Sequence, residues 1–372
     1  MPKILLFANT DWYLYNFRLI LARELRRQGY EVVLLSPPGD FQNLLQENGF
    51  HWIPFPLSRQ GINPFSELHT VWRLLHIYRQ VKPVIVHHFT IKPVIYGSLA
   101  AHILGFRGII NSITGLGHLF IDTGFVTRVI RNLAKFLYRT SLNGTQVIFE
   151  NPEDRNIFIH NRLLNPEQTN LIPGTGVDIK KFQPTTRTNT TPLVLFASRL
   201  LITKGVLEFI EASQLLKKKG LKIRFVIAGT PDPGNPASIS PEQIEAWKQS
   251  DAVEVWGWQA DMPSTLAQAD IFCLPSYREG VPSALLEACA SGLPIITTDV
   301  PGCRDVVTHG INGLLVPPQD PQALADAIGT LLTDPKRRDE MGKAGRQLAL
   351  DKFSLEKIID QTLTVYQKVL GK

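Results

Sequence analysis

The sequence is poor in the features that mark secreted, metal-binding and membrane-spanning proteins. Its 372 residues include three cysteines, Cys273, Cys289 and Cys303, whose number and spacing fit neither a disulfide framework nor a metal site. An apolar strand at 4–7 begins almost directly after Met1, so the chain shows no signal peptide. No apolar run approaches the roughly 20 residues that cross a bilayer. We therefore expect a cytoplasmic protein that is peripheral on the inner face of the plasma membrane.

Two motifs are also missing. The loop that follows the first strand, residues 8–13, lacks the G-x-G-x-x-G glycines of a dinucleotide fold, which disfavours an NAD-dependent enzyme. Asn9 and Thr10 stand there instead. No Asp-x-Asp pair occurs in the chain. Since no carboxylate pair is spaced to hold a metal, we expect no metal site and a metal-independent activity.

Positive charge is concentrated in the first half of the chain. The net charge is +6, and residues 1–178 contribute +5 of it, with 17 Lys and Arg against 12 Asp and Glu. This surplus favours an anionic partner, such as a phospholipid surface or a lipid diphosphate, although it could also serve only solubility. A basic stripe could bind nucleic acid, but no DNA- or RNA-binding signature accompanies it, and we expect no nucleic-acid partner.

Short apolar strands alternate with helical patterns along the whole chain, which predicts βαβ units and parallel sheets. The predicted strands of the first half are 3–7, 31–35, 51–55, 84–87, 108–113, 146–149 and 170–172. Those of the second half are 193–198, 223–228, 253–256, 271–275, 294–298 and 313–316. The polar segment 183–192 between them predicts a linker. The fold class is therefore α/β, with two doubly wound domains that bind ligand in a cleft at the carboxyl ends of their strands.

The segment 279–287 carries the strongest functional signal. Glu279 lies on a loop, Pro282 is expected to open a helix, and Glu287 lies one to two turns further along. Backbone N–H groups of Gly280, Val281 and Ser283 would then meet an anion at the helix N-terminus. An anion between two carboxylates that accept from hydroxyls describes a nucleotide sugar. The alternative is two surface glutamates around an ordinary helix start.

Two cations strengthen the interpretation. Arg199 follows the strand 193–198, and Lys204 lies five residues later, before a glycine. A guanidinium and an ammonium group suit a diphosphate. Gly229 and Gly257 also follow strands, where the backbone can approach a ligand closely. The rest of the Pro- and Gly-rich loop 229–236 is interpreted as an inserted loop.

These residues resemble the retaining GT-B glycosyltransferases of family 4, and the likeness extends over essentially the whole chain. Further stretches resemble the bacterial capsule and lipid-linked oligosaccharide branch; they lie at 11–12, 36–40, 61–65, 114–117, 149–155, 172–178 and 299–304. The resemblance implies transfer of a hexose or N-acetylhexosamine from a UDP-sugar to a lipid-linked saccharide, with retention. It implies an acceptor domain at 1–182, a donor domain at 193–353 and a terminal helix at 354–372 that crosses back to the first domain.

The resemblance also suggests roles for individual residues. Arg199 and Lys204 would stabilise the diphosphate, Glu279 would bind sugar hydroxyls, Glu287 would bind the ribose, and backbone near Gly257 would meet the base. The loop that carries His118 would approach the transferred sugar, and Asn9 and Thr10 would contact the acceptor. A lone histidine is more often structural, so we expect a donor or acceptor contact there and not an obligatory base.

The helix predicted at 124–142 carries four basic residues at three- and four-residue steps, which places them on one face. They are Arg128, Arg131, Lys135 and Arg139. This face would contact an anionic membrane surface, or it is only a solvated basic face.

Two other functions remain open from the sequence. A UDP-N-acetylhexosamine 2-epimerase of GT-B fold would share the donor site, but no paired acid and base are evident. A non-enzymatic two-domain sugar-binding protein would need neither donor nor acceptor chemistry.

Overall fold

The computed structural model describes residues 1–58, 63–115, 125–186 and 190–371. These residues form two compact units. The first comprises Met1–Thr175 and Ile359–Lys372, and the second comprises Gly176–Ile358. Each unit is built on its own parallel sheet with a reversal of strand order, which confirms the predicted pair of doubly wound, Rossmann-like domains.

The first unit has a seven-stranded sheet with the order β3-β2-β1-β4-β5-β6-β7. Its strands are β1 (Lys3–Phe7), β2 (Glu31–Ser36), β3 (His51–Pro54), β4 (Ile85–Phe89), β5 (Ile109–Ile113), β6 (Gln146–Phe149) and β7 (Thr169–Leu171). Ile4 of β1 pairs with Val32 on one side and with Ile85 on the other. The order reverses between β1 and β4, and a ligand site is expected at such a switch point.

The second unit has a six-stranded sheet with the order β10-β9-β8-β11-β12-β13. Its strands are β8 (Leu193–Ala197), β9 (Arg224–Ala228), β10 (Glu254–Gly257), β11 (Ile271–Leu274), β12 (Ile295–Thr298) and β13 (Gly313–Val316). Val194 pairs with Phe225 of β9 and with Ile271 of β11. The switch point therefore lies between β8 and β11.

Helices connect the strands in both units. Those up to β7 are α1 (Asp11–Tyr13), α2 (Leu19–Arg27), α3 (Gln42–Glu47), α4 (Pro64–Val81), α5 (Ser98–Ile103), α6 (Phe125–Ser141) and α7 (Pro152–His160). Those that follow β8 are α8 (Val206–Lys218), α9 (Pro241–Lys248), α10 (Met262–Ala267), α11 (Ser283–Ala290), α12 (Cys303–Val306), α13 (Pro321–Thr333), α14 (Pro335–Leu348) and α15 (Leu355–Leu370). Within the described ranges, no helix has the length and apolar character to cross a membrane.

All thirteen predicted strands are present. The central strands are buried, whereas the edge strands β3, β7 and β10 are partly exposed. The β8 residues Leu193–Ala197 are all buried, and Phe196 of β8 packs against Phe209 of α8 with ring centroids 5.6 Å apart. Full burial of such a side chain contributes about 1.5–3 kcal/mol. The strand ends differ from the prediction by one or two residues; β4, for example, continues to Phe89.

The boundary between the units lies ahead of the predicted linker at 183–192. Val177 donates its N–H to Phe353 O at 2.8 Å, and Phe182 is buried in the core of the second unit. Arg346 donates to the carbonyl oxygens of Phe182 and Ile179. Residues 176–182 therefore pack with the second unit, because apolar side chains and this arginine tie them to it.

The last helix belongs to both units. Its first residues, Leu355–Ile358, are part of the second unit, whereas residues from Ile359 onward are part of the first. In the first unit, the Tyr366 hydroxyl lies 2.7 Å from His87 Nδ1. His87 Nε2 lies 2.8 Å from Ser112 Oγ, so the buried histidine of β4 connects α15 to β5.

Candidate functional site

Lys204 and Glu279 lie together at the switch point of the second sheet. Lys204 ends a short turn after β8, and Glu279 follows β11. The two side chains form an ion pair, with exposed fractions of 16% and 11%. Gly205 has φ +76°, and a Cβ there would lie 2.0 Å from Pro275 O. Only glycine therefore allows the Lys204 turn to pack against the end of β11.

Further hydrogen bonds fix Glu279. Ser276 Oγ donates to Glu279 Oε1 at 2.7 Å, the same oxygen that contacts Lys204. Thr298 Oγ1 donates to Ser276 O, and Tyr277 N–H donates to Thr203 O at 2.9 Å. The loops after β8 and β11 are thus joined, which holds the carboxylate and the ammonium group in place without a ligand.

The helix that follows Glu279 begins one residue later than predicted. It is α11, Ser283–Ala290, and Pro282 is its N-cap with φ −72° and ψ 118°, not its first helical residue. The extended ψ angle directs the Pro282 carbonyl into the helix, where it accepts from Leu285 N–H at 3.0 Å. The N–H groups of Ser283 and Ala284 precede this first intrahelical bond, so they lie at the positive end of the helix.

Glu287 lies on α11 in a partly buried position. Burial raises the pKa of its carboxyl to about 7, and the positive charge of Lys181 opposes that shift. A carboxyl group whose pKa lies near physiological pH is typical of functional sites, where burial of an ionisable group is tolerated because the group binds a ligand. Lys181 belongs to the segment 176–182, which the sequence analysis assigned to the first domain.

Arg199 has a partner that the sequence analysis did not identify. Its Nη1 lies 2.6 Å from Asp232 Oδ2, with the arginine about half exposed. Asp232 lies in the loop 229–236 that was interpreted as an inserted loop, and it contacts a predicted site residue.

The two strand-end glycines have different explanations: a close backbone neighbour at Gly229 and a positive φ at Gly257. A Cβ on Gly229 would lie 1.8 Å from Ser198 O, and Gly229 N–H donates to Gly257 O at 2.8 Å. Gly257 is the last residue of β10 and has φ +70°. The close approach at Gly229 is thus made by the chain itself, at the sheet edge where the site lies.

The predicted site residues of the first unit lie in several different environments. Thr10 accepts the Tyr13 N–H at 3.1 Å and so caps α1, and Asn9 is half-buried. His118 lies outside the described residues, and the side chains of Arg128 and Arg131 are not described. Lys135 donates to Asn161 Oδ1 at 2.6 Å, and Arg139 is exposed.

Three site residues escaped the sequence analysis: Ser276, Asp232 and Lys181. Ser276 follows a strand and lies three residues before Glu279, so the strand-end rule applied to Arg199 would have found it. Asp232 and Lys181 reach their partners only through tertiary contacts. Among the side chains that the structure describes, no group of three His, Cys, Asp or Glu residues is placed to hold a metal ion.

Two Rossmann-like units in one chain are the architecture of the GT-B fold. Residues 3–151 match the family "Glycosyl transferase 4-like", and residues 177–348 match "Glycosyl transferases group 1". The chain is 30% identical over 371 residues to the N,N'-diacetylbacillosaminyl-diphospho-undecaprenol alpha-1,3-N-acetylgalactosaminyltransferase of Campylobacter jejuni, covering 96% of each chain. The chain belongs to the GT-B glycosyltransferases of family 4, in the branch that includes capsule and undecaprenol-linked saccharide enzymes.

Other comparisons agree. The UDP-Gal:alpha-D-GlcNAc-diphosphoundecaprenol alpha-1,3-galactosyltransferase of Escherichia coli is 26% identical, with 84% of this chain and 82% of that protein covered. The structure of sucrose-phosphate synthase from Thermosynechococcus elongatus superposes with a TM-score of 0.81 at 21% identity over 100% of both chains. The protein is therefore a glycosyltransferase, and neither the epimerase nor the sugar-binding protein is supported.

Proposed function

We propose that this enzyme transfers a hexose or N-acetylhexosamine from a UDP-sugar to a lipid-linked saccharide, with retention, at the inner face of the plasma membrane. The observation that carries the proposal is the ion pair of Lys204 and Glu279 beside the N-terminus of α11. It places a cation, a carboxylate and backbone N–H groups at the switch point, where GT-B enzymes of this family would hold a nucleotide sugar.

In this proposal the diphosphate of the donor binds Lys204, Arg199 and the start of α11, with backbone from Gly280 to Ser283 nearby. These positive groups would stabilise the departing UDP without a divalent metal. The donor must compete with carboxylates for both cations, since Glu279 pairs with Lys204 and Asp232 pairs with Arg199. Such competition lets the site stay neutral when it is empty.

Hydroxyl groups of the donor would bind the two glutamates. Glu279 would accept from the transferred sugar, since its position is fixed by Ser276. Glu287 would accept from the ribose, and backbone at Gly257 would meet the base. A hydrogen bond from a donor hydroxyl to an ionised carboxylate contributes about 1.5–3 kcal/mol. The HepE protein of Anabaena, which has a similar fold, is described in complex with UDP and glucose.

The acceptor assignment is supported by the relatives. The two transferases compared above are named for substrates attached to diphospho-undecaprenol and for alpha linkages. An alpha product from an alpha-linked UDP-hexose corresponds to retention. The first unit would bind the acceptor, with His118 as a contact, and the basic face of α6 would meet the anionic membrane surface.

The test is a mass-spectrometric screen of UDP-sugars against undecaprenyl-diphosphate-linked saccharides. We expect one donor and acceptor pair to give a product heavier by one hexose or N-acetylhexosamine. Lys204→Ala should lose that product, whereas Lys219→Ala should retain it, because Lys219 is an exposed lysine of the same unit. Transfer that is as fast in Lys204→Ala as in the wild type would refute the donor site.

A further inference from the structure

Arg18 in the first unit is a buried cation whose hydrogen-bonding capacity is only partly used. Its side chain is 7% exposed, and its Nη2 donates to the Tyr13 hydroxyl at 2.6 Å. The guanidinium carbon lies 4.3 Å from the centre of the Phe89 ring. Among the described residues, Arg18 Nε has no hydrogen-bond partner. A buried charged donor without a partner is costly, and this cost indicates a ligand that supplies the missing acceptor.

The arginine lies at the switch point of the first sheet. It ends a π-helical turn, Leu14–Arg18, that follows β1, and a second π-helical turn, Pro93–Gly97, follows β4. Such turns are rare in proteins overall, and those that occur often lie at functional sites. Thr90, directly after β4, has φ +70°, and its buried Oγ1 also lacks a partner within the described part of the chain. Buried polar atoms without a hydrogen-bond partner among the described residues therefore follow both β1 and β4, the two strands between which the strand order reverses.

Tyr13 supplies a second polar group beside the Arg18 guanidinium. Its side chain is half-buried. Burial raises the pKa of the Tyr13 phenol; Arg18 lowers that pKa, and its effect is larger than the opposite effect of Glu150. The hydroxyl oxygen accepts from Arg18, so its own proton can be donated to a ligand.

We propose that Tyr13 and Arg18 form an anion-binding site for a phosphate of the acceptor's diphosphate. The inference rests on the proposed transfer to a lipid diphosphate, and it concerns residues of the first unit. A guanidinium and a phenol both donate to phosphate oxygens, and arginine suits phosphate geometry. Arg18 is one of the basic residues that make the first half of the sequence positively charged, and in this site it would bind a specific anion.

The direct test uses inorganic pyrophosphate as the probe and the full chain saturated with UDP, so that the donor site is occupied. Calorimetry should show pyrophosphate binding to the wild type. Tyr13→Phe keeps the ring and should bind about 10-fold more weakly, and Arg18→Lys roughly 10- to 100-fold more weakly. Arg27→Gln, an exposed arginine paired with Glu24, should bind like the wild type. Equal affinity in all four proteins, or no binding by the UDP-saturated wild type, would overturn the site.

A second measurement separates an acceptor phosphate from a lipid headgroup. With a water-soluble short-prenyl diphosphate saccharide, Tyr13→Phe should raise the acceptor KM about 10-fold and leave the UDP-sugar KM unchanged. Sedimentation with phosphatidylglycerol vesicles should be unchanged in the variant. Weaker vesicle binding with a normal acceptor KM would assign the residues to the headgroup and refute the proposal. Absence of transfer with every acceptor would refute the proposed function, while the pyrophosphate titration would still decide this site.

Discussion

Replacing Glu287 by Gln should stabilise the protein, and more so at high pH. Burial raises the pKa of this carboxyl from 4.5 to about 7, and a difference of that size corresponds to about 3 kcal/mol at most. The side chain is partly exposed, so water reduces the penalty, and we expect about 1–2 kcal/mol. Glutamine keeps the shape of the side chain and removes the charge.

The sign follows from the two states. The unfolded chain ionises Glu287 at an ordinary pKa, whereas the folded protein ionises it only near pH 7, so the folded state holds the proton more tightly. The stability contributed by this group is complete below the unfolded pKa and is lost as the pH rises through the folded pKa. The advantage of Glu287→Gln should therefore be small at pH 5 and reach its full value at pH 8.

Urea unfolding at both pH values, followed by circular dichroism, measures this difference. Glu211→Gln is the matched control, since Glu211 is exposed on α8. Glu287→Gln should also bind UDP more weakly if Glu287 accepts from the ribose. Glu287 would then be a residue that lowers the stability of the protein but contributes to ligand binding. A stability gain that is equal at pH 5 and pH 8, or a loss at pH 8, would refute the reasoning.

Three other perturbations test the remaining assignments. Lys204→Ala should lower kcat/KM at least 100-fold and also lower the Tm by a few degrees, since it leaves the mostly buried Glu279 without its cation. The double variant with Glu279→Ala should recover the Tm but not the transferase activity. EDTA should leave activity intact, and loss of activity with rescue by Mn²⁺ would contradict a donor site neutralised by protein cations alone. Charge reversal of the basic face of α6 should abolish salt-sensitive sedimentation with phosphatidylglycerol vesicles, whereas unchanged sedimentation would show only a solvated face; the residues to replace by Glu are Arg128, Arg131, Lys135 and Arg139.

The sequence was a good guide to elements and a weaker one to contacts. Apolar runs such as 193–197, separated by helical patterns, are typical of buried strands. The motif 279–287 and the cations that follow the strand 193–198 then led to Glu279 and Lys204. The position of Pro282 was misjudged because proline fixes φ but leaves ψ open, and here ψ is extended. The Tyr366–His87 contact joins residues 279 positions apart, and no local pattern encodes such a pair. The sequence also could not show that Arg18 Nε lacks a hydrogen-bond acceptor in the part of the chain that the structure describes, since this depends on which atoms surround it after folding.

The distribution of cysteine makes the second unit separately observable. Cys273, Cys289 and Cys303 are all buried, and burial raises the pKa of the Cys289 and Cys303 thiols to about 12. All the thiols of the chain lie in that unit, because the first unit contains no cysteine. A thiol reagent can therefore modify the protein only when the second unit opens, since the reactive thiolate is suppressed in the closed form. Labelling rates with and without UDP would report local opening of this half of the enzyme while the other half stays silent.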